Sequence, residues 1–187
     1  MAMDRTVKEK NILDDFCIRF CRIVDKHCKY IIVSGFVAIA SGRSRGTEDI
    51  DMVISKMPLK KFYHLHEDLL KHCFECVQSS KADEIYEYLS GKNSVRYILK
   101  DILVPEMELK FAKDIIDEYQ LLHRQKLGFT ELPVWFGSVE ANIAFKEEYL
   151  KSEKDMADAK HLRIVYSEVI QESEIKKVKN MIRRHRQ

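Results

Sequence analysis

The chain has 187 residues, enough for one domain or for one domain with a helical appendage, and its 45% apolar content fits a globular protein with a packed core. Six glycines and three prolines leave little room for long disordered linkers, and 32 basic against 30 acidic residues, a net charge of +2, exclude a uniformly basic or acidic protein. The opening MAMDRTVKEKNILDD is too charged for a secretory signal, and the longest apolar stretch, 30–40, is far short of a membrane span, so a cytoplasmic protein with no membrane partner is expected.

Residues 8–28 read as an amphipathic helix, with Ile12, Phe16, Phe20, Ile23 and Val24 at helical spacing. A short apolar strand, 30–33, is then broken by Ser34-Gly35, after which 36–40 reads as a short helix. A loop with Gly42, Arg43, Arg45 and Gly46 leads into a second strand, 49–54, in which Asp49 and Asp51 alternate with Ile50, Met52 and Ile54. The two-residue period sends both carboxylates out of one face. Adjacent like charges destabilise a strand unless something positive lies between them, and a divalent cation is the natural candidate.

Pro58 marks the start of a helix that runs to about His72, a short strand is expected over 74–77, and Ser80 is placed to cap a helix over 82–89. Two strand-like runs follow, 94–100 and 106–112, with Asp101 and Pro105 in the turn between them. Glu106, Glu108 and Lys110 alternate with Met107, Leu109 and Phe111, which taken alone reads as the solvated face of an edge strand, a setting that Pro105 suits. Residues 113–125 read as helix, 132–139 as an extended apolar segment with the single Trp135, and the chain from Glu140 onward as helices. The last of these holds six Lys or Arg and no acid from Lys176 onward, which fits either a solvated helix end or a contact with RNA. The five cysteines read as reduced, buried thiols; Cys73 and Cys76 have the spacing of half a zinc site, but no second spaced pair accompanies them.

The order strand, Ser34-Gly35 turn, short helix and Asp49-Ile50-Asp51 strand resembles the signature of the DNA-polymerase-β-type nucleotidyltransferase superfamily. Its small members are the nearest in form: the minimal nucleotidyltransferases and the nucleotidyltransferase toxins of bacterial abortive-infection systems. Their turn is usually Gly-Gly or Gly-Ser, where this chain has Ser34-Gly35, and their Gly-Arg-x-Arg loop resembles the stretch from Gly42 to Arg45.

The resemblance implies an α+β nucleotidyltransferase fold, a mixed β-sheet flanked by helices, with a core over 1–139 and C-terminal helices over 140–187 packed on it. It implies two Mg²⁺ ions held by Asp49, Asp51 and a third carboxylate, for which Glu108 is the best-matching position and Glu106, on the same face, the alternative. The nucleoside triphosphate, ATP or another, would be bound by Ser34, Gly35, Arg43, Arg45 and Lys146. A Lys/Arg-Asp-x-x-Asp helix is matched by Lys154, Asp155 and Asp158, which on spacing alone are equally a surface pair of Lys154 with Asp158. The implied activity moves a nucleoside monophosphate onto an RNA, a protein or a small molecule, with RNA at the basic C-terminus and a toxin or antitoxin as further partners. Two alternatives stand beside it: a nucleotide-binding or antitoxin-like protein of the same fold without turnover, and a basic-tailed RNA-binding helical protein.

Overall fold

The computed structural model describes residues 11–47 and 49–185. Helix α1 (Ile12–Val24) opens on Asn11, whose side chain takes the Asp14 N–H while Asp14 returns the bond to the Asn11 backbone, a reciprocal cap. Residues 8–10 of the expected helix lie outside the described residues. Then come β1 (Tyr30–Val33), α2 (Gly35–Ala40), β2 (Asp49–Ile54), α3 (Leu59–Lys71), β3 (Phe74–Cys76), α4 (Ala82–Ser90), β4 (Val95–Leu99) and β5 (Ile102–Phe111). The C-terminal part holds α5 (Ile115–Leu122), α6 (Val139–Phe145) continued by one π-helical turn over Lys146–Leu150, α7 (Glu153–Val165) and α8 (Glu172–His185). Among the described residues no helix is long and apolar enough to cross a membrane.

The five strands form one mixed sheet in the order β1-β2-β5-β4-β3; only β2 and β5 run parallel. This overturns the edge-strand reading of Glu106 to Ala112, because β5 is hydrogen-bonded on both sides. Pro105 lies inside β5 and not in the preceding turn. It is tolerated there because the pairing with β2 begins only at Glu106, so its missing N–H breaks no rung on that side. The turn itself is tighter, with Leu99 opposite Ile102 and Asp101 at φ 63°. Two smaller expectations also shift. Ser80 does not cap α4, which starts after Lys81 with no side-chain cap, and Ser79 Oγ accepts the Lys81 N–H at 3.0 Å. Helix α5 is shorter than 113–125 because Asp114 caps it, accepting the N–H groups of Ile116 and Asp117.

One face of the sheet, with Ile32, Ile50, Met52, Met107, Leu109 and Tyr97, is sealed in the main apolar core together with α1, α3 and α4. The other face is covered only in part. There Ile31, Val53 and Leu121 make a small second cluster under α5, and the rest of the face opens toward α6 and the end of α8. The segment after α5 lies along the free edge of β1, with Ile32 N–H donating to Trp135 O at 2.8 Å and Gly137 N–H to Ile32 O at 3.0 Å. Ala159 and Leu162 of α7 and Ile175, Val178 and Ile182 of α8 join the main core. In the basic terminal run, Lys179 pairs with Glu147 at 2.6 Å and Arg183 with Glu148 at 2.8 Å, so part of that charge is engaged within the chain. Cys17 and Cys21 are buried as expected, whereas Cys73 is exposed.

Candidate active site

The parallel pairing of β2 with β5 sets Asp49 opposite Glu106 and Asp51 opposite Glu108. Residues in register on neighbouring strands share a face, so four carboxylates stand in two rows on the half-open side of the sheet. Crowding leaves its mark on their acidity. Burial raises the Asp51 pKa, and the Glu108 charge raises it further, against the opposing pull of the Ser34 hydroxyl and Lys110. Glu106 is likewise raised by burial and by a hydrogen bond shared with Asp49, while Arg96 pulls it down. Arg96 comes from β4, opposite Glu108, and places Nε 3.1 Å from Glu106 and Nη2 3.9 Å from Glu108.

Val33 pairs with Asp51 across β1 and β2, which brings the next residue, Ser34, beside the acids. Ser34 sits at φ 65°, ψ −134°, a conformation that a side chain resists by about 1–3 kcal/mol. The turn is held from outside. Ser34 N–H donates to Asn142 Oδ1 at 3.2 Å, and Asn142 Nδ2 in turn donates to the carbonyls of Gly137 and Ser138 at 3.1 and 3.0 Å. At Gly35 a Cβ would meet Nη2 of Arg45, so a side chain there would push that guanidinium aside.

The expected phosphate-binding cations converge on one aspartate. Arg45 donates Nε and Nη2 to the two oxygens of Asp158, each at 3.1 Å, Arg43 pairs with the same carboxylate, and Lys146 Nζ reaches it at 2.8 Å. Asp155 lies 3.5 Å from Lys146 Nζ. Lys146 and Asp158 are fully buried, and burial pulls the lysine down to about 8. Asp158 is therefore no surface partner of Lys154; it is the buried carboxylate that three cations share.

A cavity of about 490 Å³ opens between the sheet, α5, α6 and the end of α8, and its lining includes Ser34, Asp51, Lys110, Lys113, Asn142 and Lys146. The structure thus gathers Ser34, Asp51 and Lys146 around one space, with Asp49, Glu106 and Glu108 continuing the same sheet face. Arg43 and Arg45 line a separate shallow hollow. Sequence reasoning missed Lys110, Arg96 and Asn142. The alternation that marks Glu106 and Glu108 extends to Lys110, so that residue carried a readable signal; Arg96 and Asn142 carried none.

No protein-family model matches the chain, and no curated protein is found as a relative by sequence. Solved structures do match over nearly its whole length. An antigenic nucleotidyltransferase-like protein from Paracoccidioides brasiliensis is 21% identical, with a TM-score of 0.57 over 93% of this chain and 88% of that one. The antibiotic-resistance factor ANT(2'')-Ia, in its solution structure, is 12% identical with a TM-score of 0.54 over 92% of this chain and 94% of its own. A crystal structure of ANT(2'')-Ia in complex with adenylyl-2''-tobramycin gives 12% and 0.55, covering 95% and 100%. The chain has the nucleotidyltransferase fold. At these identities the likeness is one of fold, and the chemistry rests on the residues present.

On this nucleotidyltransferase fold the donor set suits a hard dication. Carboxylate oxygens are the ligands Mg²⁺ prefers, and the raised pKa of Asp51 marks a position where negative charge lacks compensation. Among the described residues no three His, Cys, Asp or Glu side chains are drawn close enough together to hold an ion as they stand. Arg96 holds Glu106 and Glu108, and Glu106 shares a hydrogen bond with Asp49.

Proposed function

We propose that the protein is a metal-dependent nucleotidyltransferase that moves a nucleoside monophosphate from a nucleoside triphosphate to an acceptor hydroxyl or phosphate. The observation that carries this reading is the register of β2 with β5, which sets Asp49 and Asp51 beside Glu106 and Glu108 next to the Ser34 turn and the cavity. In the transfer, an acceptor oxygen bonds to the α-phosphorus, the bond from that phosphorus to the bridging oxygen breaks, and pyrophosphate leaves. Asp49 and Asp51 would hold Mg²⁺ with Glu108 as the third donor. Bound there, the metal supplies charge stabilisation for the entering and leaving oxygens.

The remaining roles belong to the chain. Glu108 accepts the proton of the attacking hydroxyl. The Ser34-Gly35 backbone approaches the phosphates closely. Lys146 lines the cavity, and Lys110 and Lys113 line it without an ion pair among the described residues, so these three neutralise the triphosphate. Arg43 and Arg45 act less directly, by completing the ion cluster on Asp158.

A second reading, nucleotide binding without turnover, draws on Arg96, which already engages Glu106 and Glu108. One experiment separates the two. The purified protein is offered each NTP labelled at the α-phosphate, with Mg²⁺ and fractionated cellular RNA, protein and small molecules. Label should appear in one fraction and vanish in Asp49→Asn and Asp51→Asn. Transfer that persists in both variants refutes the mechanism, and NTP binding with no transfer to any fraction favours the second reading.

A further inference from the structure

Helix α5 presents two polar side chains to the cavity that no part of the reading above employs. Gln120 is 5% exposed and lines the cavity, and among the described residues nothing hydrogen-bonds its side chain. A glutamine amide offers two donors and two acceptor sites, and here they open onto the cavity, where a bound molecule can supply their partners. Asp117, one helical turn earlier and 3% exposed, lines the same cavity; its Oδ2 accepts the Lys113 N–H at 3.0 Å, while among the described residues no group donates to Oδ1. The Gln120 amide is held over Gly137. A Cβ at that glycine would meet Gln120 Oε1 at 3.0 Å, Asn142 Nδ2 at 3.3 Å and Val33 Cγ1 at 3.4 Å. Gln120 is therefore a neighbour of the same Asn142 that fixes Ser34, within the acid and turn cluster and not at the far rim.

We propose that Gln120, with Asp117, binds the ribose hydroxyls of the nucleotide and makes the site select ribonucleoside over 2′-deoxyribonucleoside triphosphates. This rests on the nucleotidyltransferase reading and names the substrate class of that same site. A vicinal diol donates and accepts at adjacent oxygens, which a carboxylate and an amide side by side can answer together. The sugar is also the part of a nucleotide nearest the reacting α-phosphate, which matches the closeness of Gln120 to Ser34. The base has other company available, since Ile116, Phe145, Leu150 and Ile182 supply apolar wall in the same cavity. A specific hydrogen-bonding group that loses its partner is left unpaired, which is why the missing 2′-hydroxyl weakens binding.

The test measures dissociation constants by calorimetry on the full chain in magnesium buffer, for each NTP and its 2′-deoxy counterpart. Wild type should bind each ribonucleotide about tenfold tighter, the factor of one net hydrogen bond. Gln120→Leu should bring that ratio to roughly 1–3 while leaving deoxynucleotide affinity within about twofold, and Asp117→Asn should act in the same direction. If Gln120→Leu does not fold, Gln120→Met, judged by its melting curve, takes its place. An unchanged ratio, equal losses for both sugars, or a reordering among bases at constant ratio overturns the inference. Equal binding of ribo and deoxy forms by wild type removes it alone, whereas binding of neither removes the nucleotidyltransferase reading as well.

Discussion

Arg45 and Asp158 meet face to face, two nitrogens on two oxygens at 3.1 Å each, although 113 residues separate them in the chain. The pair ties the loop before β2 to α7, and with Lys146 and Arg43 on the same carboxylate it forms a buried cluster beside the cavity. Three cations share Asp155 and Asp158, so the cluster retains a positive excess where a polyphosphate would approach.

Removing the hub should be severe. Asp158→Ala leaves buried Lys146 with only Asp155 and strands Arg45, a loss on the order of 3–5 kcal/mol for a broken buried ion pair. Arg43→Met should lose far less, since Arg45 and Lys146 still compensate the carboxylate. Urea unfolding of the two variants measures the difference. Equal midpoints would show that Asp158 is not the centre of the cluster.

Asp51 predicts a stabilising active-site substitution. Its folded pKa is raised, so between its ordinary value and that raised value the native state holds the proton more tightly than the unfolded chain. This contribution therefore falls as pH rises through the window, and at neutral pH the ionised carboxylate is a net cost. Asp51→Asn should raise the melting temperature at pH 7 and flatten the acid-side dependence, and Mg²⁺ should stabilise wild type more than the variant. Melting curves at several pH values, with and without Mg²⁺, give both readouts.

Lys146 predicts a dependence on the alkaline side. With its pKa pulled down to about 8 from 10.5, the buried ammonium weighs against folding below about 8, and that penalty is relieved as pH rises from there toward 10.5. Anion binding runs the other way, because the charge that attracts phosphate disappears over the same rise. Tripolyphosphate affinity should fall on going from pH 7 to pH 9 in wild type and change much less in Lys146→Met. Parallel profiles for the two proteins would exclude Lys146 from phosphate binding.

Ser34→Gly separates backbone from side chain at the turn. Glycine adopts φ 65° without the strain that serine bears, so the substitution should stabilise the fold by about 1 kcal/mol or leave it unchanged. It also removes the hydroxyl that lowers the Asp51 pKa, so that pKa should rise further. Carboxyl titration followed by NMR reads the shift, and thermal melting reads the stability.

Much of this architecture is local and could be read from the chain itself. Alternation at Asp49, Ile50 and Asp51 puts two carboxylates on one face whatever the rest does, because successive side chains of a strand point to opposite sides. Helical spacing of Phe16, Phe20 and Val24 determines the buried stripe of α1 in the same way. The turn at Ser34-Gly35 and the short helix after it follow from small residues behind an apolar run.

What only the folded chain decided is long-range. Whether Glu106 and Glu108 flank the aspartates depends on a parallel register between strands more than fifty residues apart, and the same alternation would suit an exposed edge equally well. The partner of Asp158 is a second case: helical spacing offers Lys154, but the aspartate faces inward, where Arg43, Arg45 and Lys146 arrive from two other segments. Gln120 is a third, an ordinary polar residue in an amphipathic helix until the approach of Gly137 and Asn142 encloses it. Sequence patterns report which way a side chain leaves its own element, whereas burial and pairing depend on what the other elements bring against it.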